Sequence, residues 1–238
     1  MGLGLGIVIC LVIFVIVGFM VFQARFAARQ WRRVIAAGDM HALDDLLDQT
    51  FEAWRNSRPP RGMPPADWRA MHTAALIAAD GQRARVSLLA EPDVRVVQGQ
   101  RVEVGTAQEV ARRAAVRMVE RLMYEVPYVS FKAVQVDVHT EYRAVDGSMT
   151  NPCLLTTQAT RETASWADWS AAGEASLLLA EWDTREAAPT TPIDPSVGAL
   201  LDSPDVDPTA TIRAGKRAAN PQTGNQQTPN HHTGEPRS

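Results

Sequence analysis

Asp137, His139 and Glu141 stand at alternate positions of the segment 134–142, and their types are those that move protons and hold metal ions. On an extended chain alternate residues share a face, so the three side chains lie together, opposite Val136 and Val138. A carboxylate beside an imidazole orients the ring for general-base work, and oxygen with nitrogen ligands begins a metal site. The same spacing describes the solvated face of an amphipathic strand. No second cluster of ligands stands elsewhere in the sequence, so the solvated face is the reading adopted. Asp137, His139 and Glu141 are kept as candidate metal or catalytic groups, and no cofactor is expected.

Cys153 opens the following strand. A thiol beside His139 has the makings of a nucleophile, but a small buried thiol on a strand is the commoner arrangement and is expected here. The other cysteine, Cys10, lies in an apolar run, so the two form no disulfide and a reducing compartment fits. The chain carries no phosphate-cradling glycine loop, no His-Glu-x-x-His, no Cys-x-x-Cys and no Gly-x-Ser-x-Gly. An enzyme is therefore not the expected class.

The elements that must position these residues follow from periodicity. Asp39 is placed to cap a helix over 40–56, whose Leu43, Leu46, Leu47, Phe51 and Trp54 share one face. Pro59, Pro60, Pro64 and Pro65 break the chain into a loop, and a shorter helix is expected over 66–79. Alternation then predicts strands through Ala84–Leu88, Val94–Val96 and Val102–Val104. Thr106 opens the clearest helix, Ala107–Tyr124, with Val110, Ala114, Met118 and Leu122 inward and Arg112, Arg113, Arg117 and Glu120 outward. A long strand over 128–142 and another around Cys153–Thr160 follow, then two short helices within 161–182. Trp166, Trp169 and Trp182 are expected in or at the edge of the core. This order predicts an α+β domain over 38–186, its helices packed on a mostly antiparallel sheet.

The flanks differ in kind. From Leu3 to Phe22 no residue is charged, and twenty residues at about 1.5 Å each give roughly 30 Å, the thickness of the hydrocarbon core. Residues 1–22 are thus expected to form a transmembrane anchor, continued by a juxtamembrane helix over 23–37. A cleaved signal peptide fits less well, because no Lys or Arg precedes the run and no small-residue cleavage site follows it. Arg25, Arg29, Arg32 and Arg33 directly follow it, which places the C-terminal side in the cytoplasm of a single-pass cell-membrane protein. Beyond Trp182 there is no aromatic residue, and prolines recur from Pro189 to Pro236. Such a segment buries too little to offset its chain entropy, so 187–238 is expected to be a disordered tail.

Charge bounds the partners. The formal net charge of −3 gives no overall polyanion-binding character. The order helix, three strands, helix across 66–124 resembles a double-stranded RNA-binding domain in topology, but Glu109 occupies the place of the basic cluster such a domain needs. Nucleic acid is set aside. Lys132 and Lys216 are the only lysines beside many arginines and alanines, a bias of GC-rich bacterial genes. The expected function is a membrane-tethered binding or scaffold module whose partners are the bilayer and another protein at its inner face. The alternative is a membrane-anchored enzyme or small-ligand sensor using the Asp137/His139/Glu141 face.

Overall fold

The computed structural model describes residues 11–23, 25–26, 39–143, 147–169, 174–188, 191 and 193–202. Mixed α and β structure is present as expected, with helices against a mostly antiparallel sheet. Asp39 caps the Met40–Arg55 helix by accepting from the Ala42 amide, and Leu43, Leu46, Leu47 and Phe51 are buried along its inner face. Pro65 begins the next helix, where its missing N–H costs nothing. That helix ends at His72, not near 79. Residues Ala75–Ala79 instead form the edge strand β1, antiparallel to β2 (Arg83–Leu89). Alanine-rich residues that favour a helix locally are held extended here by ladder bonds to β2, a tertiary term the local pattern does not contain.

A hairpin of β3 (Asp93–Val97) and β4 (Gln100–Gly105) stands apart from the main sheet. Its turn puts Gln98 and Gly99 at φ 52° and 81°, the left-handed pair that matches strand twist in two-residue hairpins. The Ala107–Tyr124 helix follows, started by a capping box in which Thr106 and Glu109 satisfy each other's backbone amides. It is the crossover that lets β5 (Ala133–His139) pair parallel with β2. The expected strand over 128–142 is shorter at both ends, and Tyr128 lies at φ 66°, which keeps it out of the ladder. A two-residue pair, β6 (Tyr142–Arg143) and β7 (Met149–Thr150), leads to β8 (Cys153–Thr160), and β9 (Asp183–Glu186) completes the order β1-β2-β5-β8-β9.

One face of this sheet is apolar. Ala84, Val86 and Leu88, Val134, Val136 and Val138, and Leu155 and Ala159 join the core with Val110, Ala114, Met118 and Leu122 of the long helix. Arg112 and Arg113, expected to face outward, reach over the rim to carboxylates: Arg113 holds Asp67 with two bonds of 2.8 Å, and Arg112 holds Glu186. The two short helices appear as Arg161–Ser165 and Ala175–Ala180. Trp182 is buried and Trp169 packs against the core, but Trp166 is 86% exposed and does not belong to it.

Residues 11–23 are helical with their apolar side chains exposed, and among the described residues no helix is long and apolar enough to cross a membrane. Residues 1–10 of the expected anchor, and most of the juxtamembrane stretch, lie outside the described residues. At the other end, residues 193–202 depart from the tail expected over 187–238, because they lie across the second face of the sheet. Residues 203–238 lie outside the described residues.

Candidate functional site

The second face of the sheet carries the residues at the odd positions of β2 and β5. Parallel pairing sets Arg85 beside Gln135 and Ser87 beside Asp137, while β8 brings Thr156 next to Asp137. An extra residue in β8, Leu154, shifts the register so that Cys153 stands opposite His139. Two of the three residues singled out in the sequence meet here. β5 ends at His139, so Glu141 falls beyond the ladder and is not part of the cavity wall described below.

The solvated-face reading does not hold for Asp137 and His139. Asp137 is 0% exposed and His139 5%. The cover is the 193–202 strap, and the sheet grips it through main-chain atoms. Arg85 donates through Nη2 to the Pro195 carbonyl at 2.9 Å and through Nη1 to that of Leu201 at 3.0 Å. Gln158 donates to the Gly198 carbonyl at 2.7 Å and Arg185 to that of Val197 at 2.6 Å. The Leu200 amide in turn donates to Gln135 Oε1 at 2.7 Å.

Beneath the strap, Asp137 is the hub of a closed polar network. Its Oδ2 accepts from Arg85 Nε at 2.7 Å; its Oδ1 accepts from Gln135 Nε2 at 2.8 Å and from the Thr156 hydroxyl at 2.5 Å. A carboxylate removed from water is tolerated only when it is paired and hydrogen-bonded in this way. Arg85 and Gln135 were not singled out in the sequence. Their signal was parity: each shares its strand face with a polar neighbour, Ser87 and Asp137 respectively.

Beside the network lies a cavity of about 470 Å³, walled by β1, β2, β5, the 151–153 turn and strap residues 193–196. His139 forms part of this wall. Burial holds its pKa below the ordinary 6.5, an effect that Arg85 reinforces and that the Asn151 carbonyl and Asp137 oppose. The ring is therefore neutral at pH 7. Its Nδ1 is 3.3 Å from the Asn151 carbonyl oxygen, which only accepts, so the proton resides on Nδ1. Nε2 is left a bare acceptor, buried without a hydrogen-bond partner, and Asn151 Oδ1 and Ser87 Oγ are in the same condition. Most buried polar atoms in folded proteins are paired, and two of these three belong to residues of the cavity wall, His139 and Asn151.

Cys153 shares the wall, but burial pushes its thiol up to about 12, and Sγ donates to the Leu155 carbonyl. It stays protonated and is a poor nucleophile. A second, more open hollow of about 590 Å³ lies on the Gln108 and Arg112 side. Its charges face each other, with Arg112 bidentate on Glu186 and holding that carboxyl below its usual range. Among the described residues no group of three or more His, Cys, Asp or Glu side chains is arranged to hold a metal ion.

No family model, curated protein or solved structure matches this chain.

One consequence concerns pH. In the unfolded chain His139 takes up a proton near 6.5, whereas in the fold it does so only at lower pH. The unfolded state then binds more protons, so stability present above pH 6.5 is lost as pH falls below it. His72 is depressed chiefly by burial as well, and then by Arg121 and Arg55, and adds in the same direction. Melting temperature is expected to drop as pH is lowered from 6.5, and His139→Gln is expected to make that drop shallower. An unchanged slope in the variant would show that His139 does not titrate in this way.

Proposed function

We propose that this chain is a membrane-tethered module that binds a small molecule in the cavity beneath the 193–202 strap. The observation that carries this reading is the cavity itself, with Arg85, Asp137 and His139 among the residues of its wall. Cavities of about 300–1,000 Å³ with apolar walls and a few convergent polar groups are the usual form of small-molecule sites. Binding is favoured over catalysis because the reactive groups are disarmed: Asp137 is engaged by three donors and Cys153 remains a thiol. A sensor of a small ligand, the alternative reading of the sequence, thus replaces a pure scaffold as the leading one. Docking to another protein remains a second reading, favoured by the exposed Val94, Val96, Val97, Val102 and Val104 on the β3–β4 hairpin.

The tether rests on the uncharged run 3–22 and the arginines that follow it. With the C-terminal side cytoplasmic, protease added to sealed cells is expected to leave a C-terminal tag intact. Loss of the tag without lysis would reverse the orientation.

Ligand binding is tested by thermal melts of the full chain in detergent against a library of small fragments. A bound ligand stabilises the fold by mass action. Fragments that raise the melting temperature of the wild type are expected to lose their effect in Ser196→Phe, which fills the cavity from the strap side. If no stabilising fragment depends on Ser196, the cavity is not a binding site.

A further inference from the structure

We infer that the second face of the sheet is a peptide-binding site that reads main-chain carbonyls, filled here by the chain's own residues 193–202 and able to take the same segment from a second copy. This grip is independent of what the cavity holds. Its donors are Arg83 and Arg85 on β2, Gln135 on β5, Gln158 on β8 and Arg185 on β9, a set that crosses four neighbouring strands. Arg83 donates to the Leu200 carbonyl at 3.0 Å, and Gln135 joins Arg85 on that of Pro195 at 3.2 Å. Gln158 and Arg185 take the carbonyls of Gly198 and Val197, and Arg85 takes that of Leu201 as well. Every one of these bonds ends on the main chain of the strap, the pattern by which strand-adding peptides gain affinity.

Charge favours a peptide over an anion. Arg83 is paired with Asp80 and Arg85 with Asp137, at 2.7 Å each. Guanidiniums neutralised in this way keep N–H groups to offer, and these suit carbonyl dipoles. The strap supplies the matching shape. Asp194 Oδ1 accepts from the Ser196 amide and hydroxyl at 2.8 and 2.6 Å, an Asx turn, and Gly198 redirects the chain at φ 67°. The side chains of Asp194, Ser196 and Val197 are exposed. No bond of this grip requires that the strap be joined to residue 188, so the segment is exchangeable between copies, as in domain swapping. The covalent link holds the resident strap at an effective concentration on the order of mM, and a free segment competes once the resident is weakened.

Gly198→Val weakens the resident: a β-branched residue is strained at this φ, while an added Cβ meets no neighbour and the sheet is untouched. A fluorescent peptide of residues 193–202 is titrated into the full chain in detergent and followed by anisotropy. It is expected to bind the Gly198→Val chain at least about tenfold more tightly than the wild type. Adding Arg185→Ala to that chain removes the donor to the Val197 carbonyl and is expected to weaken binding about tenfold. Exchange between copies is read by complementation. The Gly198→Val chain has an open face and a poor strap, and a Gln158→Ala/Arg185→Ala chain has a good strap and a poor face. Differently tagged, the two are expected to co-purify more than either does with a tagged copy of itself. If Gly198→Val does not melt cooperatively, Gly198→Ala, a milder strain, takes its place. A cooperatively melting chain that binds no peptide, or binds a scrambled one equally well, would overturn the site. Peptide binding without co-purification would confine the strap to its own chain and overturn the exchange.

Discussion

Asp137→Ala is expected to lower stability by about 3–5 kcal/mol, the range seen when one partner of a buried ion pair is removed and the other charge is left stranded. Arg85, with a side chain 4% exposed, would keep its charge under the strap with neutral carbonyls as its remaining hydrogen-bond partners. The Gln135 amide and the Thr156 hydroxyl would lose their acceptor as well. Denaturant unfolding of the full chain reads the difference. The double variant Arg85→Met/Asp137→Leu is expected to cost clearly less than the sum of its singles, because neither charge is then orphaned. A loss of under about 1 kcal/mol for Asp137→Ala would mean that water reaches the pair and the strap does not seal it.

The second large effect is expected from the chain end. Truncation after Ala188 removes the strap, exposes the Arg85–Asp137 pair and deletes the carbonyl acceptors of Arg85, Gln158 and Arg185. A loss of about 2 kcal/mol is expected, a fall of roughly 4–8 °C in Tm for a domain of this size. Truncation after Asp202 keeps every one of these contacts and is expected to leave the melt within about a degree or two. Equal melts for the two truncations would return residues 193–202 to the dispensable tail that composition alone suggests.

The contrast between these ends shows what a sequence discloses. The Ala107–Tyr124 helix was legible because its signals are local: Thr106 and Glu109 at capping-box spacing, an apolar stripe, and Pro127 beyond its end. The strap was not, because its grip is made by backbone carbonyls, which every residue carries, and its sequence holds no aromatic anchor. The parity of β5 placed Asp137 and His139 on one face correctly. Whether that face meets water depends on a segment more than fifty residues away in sequence, and Arg85 joins it only through the parallel pairing made possible by the helical crossover. Ala75–Ala79 failed for the opposite reason: its local preference is helical, and only its partner strand makes it a strand.

A long-range proton–nitrogen NMR spectrum of histidine-labelled full-length protein, assigned with His139→Gln, observes the state of the His139 ring directly. At pH 7 His139 is expected to be neutral, with its proton on Nδ1 and an unprotonated Nε2 whose resonance moves when a ligand from the fragment screen is added. A doubly protonated ring, or a proton on Nε2, would contradict the neutral, Nδ1-protonated imidazole that the buried setting of this wall residue requires.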